Sequence, residues 1–205
     1  GQVTVPGALV WLVAQALAGF AILLTLGAAA IILGIASLGL VAIYPFAKRF
    51  TWWPQAFLGL AFNWGVLLAW AAHMGNLAPA PLLAYVAGIA WTIFYDTIYA
   101  HQDAEDDALI GVKSTARLFG QDTPRWLAGF GAASVVLLAL AVLATGAGGL
   151  SLTLGLAGVA GFGAHLVWQL QQFNVNDSAN YLKLFRSNRD AGLILALFLA
   201  LAGIV

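Results

Sequence analysis

The chain has 205 residues, of which 62% are hydrophobic and only 8% are charged. Soluble domains carry about 25% charged residues, so this composition excludes a water-exposed globular surface and predicts an integral membrane protein in a lipid bilayer. The formal net charge is zero and cysteine is absent, which excludes disulfides and thiolate metal sites and gives no indication of nucleic-acid binding.

The apolar segments predict an all-α bundle of seven transmembrane helices. The first segment, residues 7–43, would form a single helix roughly 55 Å long, whereas the hydrocarbon core is about 30 Å thick. It therefore predicts two helices that turn near Gly27. The other five predicted spans lie within residues 54–100, which break at 75–81, residues 126–173, which break at 145–149, and residues 191–205.

The eight Lys and Arg residues lie in three loops, around residues 48–53, 101–125 and 174–190. Two predicted spans separate each basic loop from the next, so the three loops share one face of the membrane. The positive-inside rule predicts that this face is cytoplasmic, with the N-terminus on it and the C-terminus outside. No basic segment followed by a short apolar core and a cleavage site opens the chain, so we predict no signal peptide.

An acidic segment follows the fourth predicted span and contains Asp96, Asp103, Glu105, Asp106 and Asp107. If the helix continues to about residue 107, Asp96, Asp103 and Asp107 share a face, because they are seven and four residues apart. Crowded carboxylates repel one another and suit a divalent cation such as Mg²⁺. A solvated acidic loop is the alternative, but Asp96 favours a functional site because it lies inside an apolar span.

Two groups of basic residues are candidates for binding an anion. Tyr44 and Lys48 are one helical turn apart, and a phenol beside an ammonium group suits a phosphate-rich ligand. Lys113 and Arg117 have the same spacing after the acidic segment. Cations there would stabilise negative charge on a departing diphosphate. Both groups are also typical of simple topology anchors.

Two further residues in the spans are candidates for a substrate cavity. Asn63 is a lone polar residue in the third span, where an interhelical hydrogen bond is commoner than a substrate contact. Trp91 precedes the acidic segment and is a candidate for the lining of a lipid-tail cavity.

Residues 95–116 resemble the second aspartate-rich motif of the UbiA membrane prenyltransferases, and residues 44–49, Y-P-F-A-K-R, resemble the Tyr-x-x-x-Lys element of that family. Both stretches, and residues 51–59, are similar to its 4-hydroxybenzoate polyprenyltransferase branch in particular. The resemblance implies a nine-helix bundle around a central cavity, of which the seven predicted spans are the last seven. The family's first motif, N-D-x-x-D-x-x-x-D, does not occur in this sequence, which implies that it and two helices precede Gly1.

The resemblance also implies an activity. It implies that residues 1–205 form one prenyltransferase domain, N-terminally incomplete, that transfers a polyprenyl group from polyprenyl diphosphate to 4-hydroxybenzoate in ubiquinone biosynthesis. The implied cofactor is Mg²⁺, and the expected location is a bacterial inner membrane with the active site facing the cytoplasm. No obligate protein partner is expected. The implied catalytic residues are Asp96, Asp103, Asp107 and Lys48, the substrate-binding residues are Tyr44, Lys48, Lys113 and Asn63, and the metal ligands are Asp96, Asp103, Asp106 and Asp107.

Three alternatives stay open at this point. One is a UbiA-type enzyme with another acceptor, such as homogentisate or haem. The second is a membrane transporter with an acidic vestibule, although transporters typically carry charges near the membrane midplane and these cluster at one face. The third is a fragment without activity of its own.

Overall fold

A computed structural model describes residues 3–205, which form helices, turns and loops and contain no strand. The expected position of Gly1, just after a first aspartate motif, lies outside these residues. The helices are α1 (Val5–Leu24), α2 (Ala28–Ile43), α3 (Ala47–Phe50), α4 (Pro54–Phe62), α5 (Trp64–Met74), α6 (Pro79–Ala100), α7 (Ala104–Leu109), α8 (Thr115–Phe119), α9 (Thr123–Ala144), α10 (Gly149–Gln172) and α11 (Ser178–Ala202). Short 3₁₀ turns at Tyr44–Phe46 and Gly120–Asp122 precede α3 and α9.

The predicted all-α membrane bundle is confirmed. Helix α11 contains residues 191–202 of the seventh predicted span, 191–205, but charged residues occupy its first half, so it is less apolar than the other long helices. Six other helical stretches are long and apolar enough to cross a membrane: Val5–Leu24, Ala28–Phe50, Pro54–Met74, Pro79–Ala100, Thr115–Ala144 and Gly149–Gln172.

The turns between the spans lie where the sequence predicts them. The first helix ends at Leu24 and the second begins at Ala28, on either side of the predicted turn. Gly75 closes α5 in the left-handed conformation, with φ of 73°, which a residue with a side chain rarely adopts. Pro79 then occupies the first position of α6, where its missing N–H costs no helical hydrogen bond.

The third span contains a break that the sequence analysis does not predict. Helix α4 ends at Phe62 and α5 begins at Trp64, with Asn63 between them. The Asn63 side chain donates at 2.9 Å to Gly59 O and at 2.9 Å to Thr92 Oγ1 of α6. The predicted interhelical hydrogen bond of Asn63 is therefore confirmed, and it ties the break to the central helix.

Helix α6 lies at the centre of the bundle and packs against α4, α9 and α11, while α10 packs against α9 and α11. Small residues allow these helices to approach each other closely. Membrane helices depend on such close packing because no hydrophobic driving force brings them together in lipid. A Cβ atom at Gly158 of α10 would lie 2.5 Å from Phe198 Cβ of α11. Aromatic and aliphatic side chains fill the core between these helices, namely Phe94, Ile98, Leu127, Phe162, Leu166, Phe173, Tyr181, Leu184 and Ala191.

Candidate active site

Helix α3 and the loop after α7 meet at one end of the bundle. The backbone N–H of Lys113 donates to Lys48 O at 3.1 Å, and the Lys113 Nζ lies 3.5 Å from Phe50 O. Nearby, the backbone N–H of Thr115 donates to Oε1 of the buried Gln55 at 3.2 Å. The structure therefore brings together the backbones of Lys48 and Lys113, which are far apart in the sequence and which the family resemblance implies both bind the substrate.

Asp96 lies in the last turns of α6 and faces this end of the bundle. Its carboxylate is half-buried, Lys48 is the cation that interacts with it, and the Gln55 side-chain amide faces it. The phenol groups of Tyr44 and Tyr95 lie close enough to interact with the same carboxylate. We call Tyr44, Lys48, Gln55, Tyr95 and Asp96 the Asp96 cluster. Tyr44, Lys48 and Asp96 are predicted from the sequence, whereas Gln55 and Tyr95 are not.

The acidic segment does not continue helix α6. Helix α6 ends at Ala100, and the short helix α7 begins at Ala104. The shared helical face expected of Asp96, Asp103 and Asp107 therefore does not form. Asp103 immediately precedes α7 and has an exposed side chain, and Asp107 is half-buried.

The chain turns at this point because His101 makes contacts that the sequence does not reveal. Its ring lies 5.6 Å from the rings of both Phe173 and Tyr181, and its Nε2 is 3.1 Å from Thr123 Oγ1. Burial lowers the pKa of His101 to about 4, so the ring is neutral at physiological pH. These contacts hold the end of α6 against α9 and α11 and direct the acidic segment away from the helix axis.

Arg117 is a candidate for anion binding in the sequence, but its side chain hydrogen-bonds the backbone of the loop after α7 instead. Its guanidinium donates to the carbonyl oxygens of Asp107 at 3.2 Å and of Val112, and lies 5.3 Å from the centre of the Trp52 ring. Lys113 lies over the same ring at 6.0 Å. Arg117 therefore fixes the loop that presents Lys113, whose ammonium group lies near Phe50 O and the Trp52 ring.

The residues of this region fit Mg²⁺ only when a phosphate ligand accompanies it. Within residues 3–205 no three Asp, Glu or His side chains gather to hold a metal ion. Mg²⁺ commonly takes one or two protein carboxylates and completes its shell with water and phosphate oxygens. The hard carboxylate oxygens of Asp96 and of the acidic segment suit such a metal–diphosphate complex, whereas they do not form a self-contained metal site.

A cavity of about 1120 Å³ lies beside the Asp96 cluster. Tyr95 belongs to both, and Asn63 and Asn188 also line the cavity. The prediction that Trp91 lines a cavity is confirmed. The aromatic side chains on its wall are Phe62, Trp91, Tyr95, Trp168 and Phe185. The cavity thus offers mainly apolar surface next to a charged end.

One side of the cavity is basic, which the sequence analysis missed. Lys183, Arg186 and Arg189 lie on the first half of α11, three residues apart, and line the cavity. Arg189 pairs with its neighbour Asp190, whereas among residues 3–205 Lys183 and Arg186 form no ion pair. Their regular spacing on the last helix is the signal in the sequence, although it is also typical of cytoplasmic anchoring.

The fold and this site define a polytopic membrane protein in which a carboxylate–lysine cluster and an aromatic cavity share Tyr95. The chain belongs to the UbiA prenyltransferase family, because the sequence pattern of that family matches residues 1–202. The resemblance found in the aspartate-rich and Tyr-x-x-x-Lys segments is therefore confirmed.

Several relatives are named "4-hydroxybenzoate polyprenyltransferase, mitochondrial". The protein of Drosophila pseudoobscura pseudoobscura is 47% identical over 98% of this chain and 50% of its own length. That of Rattus norvegicus is 45% identical over 100% of this chain and 54% of its own length. That of Arabidopsis thaliana is 48% identical over 88% of this chain and 44% of its own length. The chain thus spans about half the length of these relatives.

Among solved structures, the apo structure of a UbiA homolog from Aeropyrum pernix K1 matches with a TM-score of 0.73. The match covers 98% of this chain and 74% of that one at 22% sequence identity, and it supports the fold alone.

The predicted location in a bacterial inner membrane is wrong. The relatives named above are mitochondrial proteins of animals and a plant. The prediction failed because the distribution of Lys and Arg reports the orientation of a protein across a membrane and does not distinguish one membrane from another.

Proposed function

We propose that this chain is part of an enzyme that transfers a polyprenyl group from polyprenyl diphosphate to the ring of 4-hydroxybenzoate, a step of ubiquinone biosynthesis. The names of its relatives support the reaction and a mitochondrial membrane as the location. The observation that carries the proposal is that Tyr95 belongs both to the cluster of Lys48 and Asp96 and to the aromatic cavity. Residues 1–205 then form a single transmembrane prenyltransferase domain.

The diphosphate of the donor binds at the Asp96 cluster in this proposal. Tyr44 donates a hydrogen bond to it, and the ammonium groups of Lys48 and Lys113 supply fixed positive charge from helix α3 and from the loop hydrogen-bonded to it. The negative charge on the diphosphate grows as the carbon–oxygen bond breaks, so cations held in place at this point stabilise the transition state more than the ground state.

Mg²⁺ is the proposed cofactor, and it would neutralise the diphosphate and make it a better leaving group. Asp96, Asp103, Asp106 and Asp107 are the proposed ligands, together with phosphate oxygens. The exposure of Asp103 and Asp106 at the surface of the acidic segment leaves both carboxylates accessible to such a complex.

The polyprenyl chain extends into the cavity, whose aromatic wall matches its apolar surface. The bond between the allylic carbon and the diphosphate breaks, and the diphosphate leaves with the electron pair. A ring carbon next to the hydroxyl group of 4-hydroxybenzoate forms the new carbon–carbon bond and then loses its proton. Asn63 lines the same cavity and is the proposed contact for the acceptor. The apolar wall limits access of water, which would otherwise capture the allylic cation.

A competition between acceptors tests the proposal. Membranes that contain the complete gene product are supplied with a polyprenyl diphosphate, Mg²⁺ and equal amounts of ring-labelled 4-hydroxybenzoate and homogentisate. We expect label in a prenylated 4-hydroxybenzoate, and none with an Asp96→Asn variant recovered in equal amount. Prenylation of homogentisate instead would overturn the choice of acceptor, and no prenyl transfer to any acceptor would overturn the activity.

A further inference from the structure

Two buried side-chain amides face each other between α10 and α11. Gln169 is fully buried and Asn188 is 7% exposed. Gln169 Nε2 donates to Asn188 Oδ1 at 3.1 Å, and Asn188 Nδ2 donates to Gln169 Oε1 at 3.0 Å. Asn188 Nδ2 also donates to Leu184 O at 3.1 Å. Both oxygens and both nitrogens therefore have partners, as buried polar groups require.

The same pair holds the indole of Trp91, which comes from a third helix. Trp91 Nε1 donates to Asn188 Oδ1 at 2.9 Å. The Trp91 ring meets Phe162 edge to face at 5.1 Å between ring centres and meets Tyr95 in the same way at 5.6 Å. On α11, Gly192 leaves room for the indole, since a Cβ atom there would lie 3.0 Å from Trp91 Cη2.

This arrangement determines which part of the Trp91 side chain is exposed to the cavity. Trp91 and Asn188 both line the cavity, but the only polar atom of the indole is already bound to Asn188. The indole therefore presents apolar ring surface, which suits the hydrocarbon chain of the donor and not the polar groups of the acceptor. A different tilt of the ring would change the width of the cavity.

We propose that Gln169 and Asn188 are a positioning pair that fixes the Trp91 indole as a wall of the prenyl-chain cavity and so sets the preference for chain length. Gln169 acts only through Asn188 and Trp91. The inference rests on the proposed function in taking the ligand to be a prenyl diphosphate. It adds that two amides on the last two helices, neither of them part of the Asp96 cluster, control the selection of the donor.

The test measures binding of geranyl and geranylgeranyl thiolodiphosphate, which do not react, to the complete gene product in detergent micelles. Gln169→Met keeps the side-chain volume and removes the support of Asn188. We expect the ratio of the two dissociation constants to change by about fivefold, which is the effect of one neutral hydrogen bond. Asn188→Leu removes the acceptor of the indole N–H directly and should change the ratio in the same direction.

Two controls separate positioning from general damage. In a Trp91→Phe background, Gln169→Met should leave the ratio unchanged, because no indole N–H remains to be positioned. Ser151→Ala removes another hydrogen bond between α10 and α11, from Ser151 Oγ to Ala202 O at 2.7 Å, and should not change the ratio. An unchanged ratio in both Gln169→Met and Asn188→Leu, or equal changes with and without the indole, would overturn the inference.

The binding assay needs no acceptor. Its result can therefore contradict the positioning role without contradicting the proposed function, and the reverse is also true. A wild-type protein that binds both donors but transfers neither to 4-hydroxybenzoate contradicts the proposed activity and leaves the ratio to decide the positioning role. A protein that binds neither donor contradicts both.

Discussion

Gly88→Ala tests the contact between the break at Asn63 and the central helix. A Cβ atom at Gly88 would lie 2.2 Å from Asn63 Oδ1 and 2.6 Å from Asn63 Cγ, so the whole amide must move. That movement breaks its hydrogen bonds to Gly59 O and Thr92 Oγ1. Two lost hydrogen bonds cost about 2 kcal/mol and overpacking costs about 2 kcal/mol more, while the better helix propensity of alanine returns about 1 kcal/mol. We expect a net loss of about 3 kcal/mol.

The free energy of unfolding is measured by denaturant titration in mixed micelles. Gly129→Ala is the matched control, because Gly129 is an exposed helical glycine of α9 whose added Cβ would have no neighbour within 4 Å. It should leave the stability unchanged or raise it by up to about 1 kcal/mol. Equal stabilities of the two variants would refute the close approach of Asn63 to α6.

Three further predictions concern the proposed reaction in the complete gene product. Asp103→Asn should abolish prenyl transfer while the protein stays in the membrane. Asp122→Asn, which removes an exposed carboxylate paired with Arg125, should retain prenyl transfer. Equal activity of the two variants would refute the role of Asp103. Lys48→Gln should raise the KM for the prenyl diphosphate at least tenfold, which corresponds to about 1.4 kcal/mol. The neighbouring Arg49→Gln should raise this KM by a smaller factor. An unchanged KM in Lys48→Gln would contradict diphosphate binding at Lys48. Chelation of Mg²⁺ should stop transfer and added Mg²⁺ should restore it, and full activity in chelator would exclude the cofactor.

The turns between the spans could be predicted because they follow from local chemistry. The first apolar run is too long for one helix, and the left-handed Gly75 followed by Pro79 marks the turn before α6. The interhelical hydrogen bond of Asn63 also followed from its being a lone polar residue in an apolar span. The signals for the turns lie within a few residues of the turns themselves, and the partner of Asn63 did not have to be known to expect a hydrogen bond there.

The end of α6 could not be predicted in this way. The spacing of the carboxylates was compatible with a continuous helix, but the chain turns because the His101 ring packs against Phe173 and Tyr181, which lie more than seventy residues further along the chain. Gln55 was missed for a similar reason, since its partners Asp96 and Thr115 belong to distant helices. Contacts between distant residues thus decided the parts of the site that local patterns did not.

The most direct test of the account is a density map of the complete gene product with Mg²⁺ and a polyprenyl thiolodiphosphate. The account predicts the diphosphate within contact distance of Lys48 and Tyr44, Mg²⁺ between the diphosphate and Asp96, and the chain along the Trp91 wall of the cavity. A diphosphate bound elsewhere, for example at Lys183 and Arg186 on α11, would contradict it.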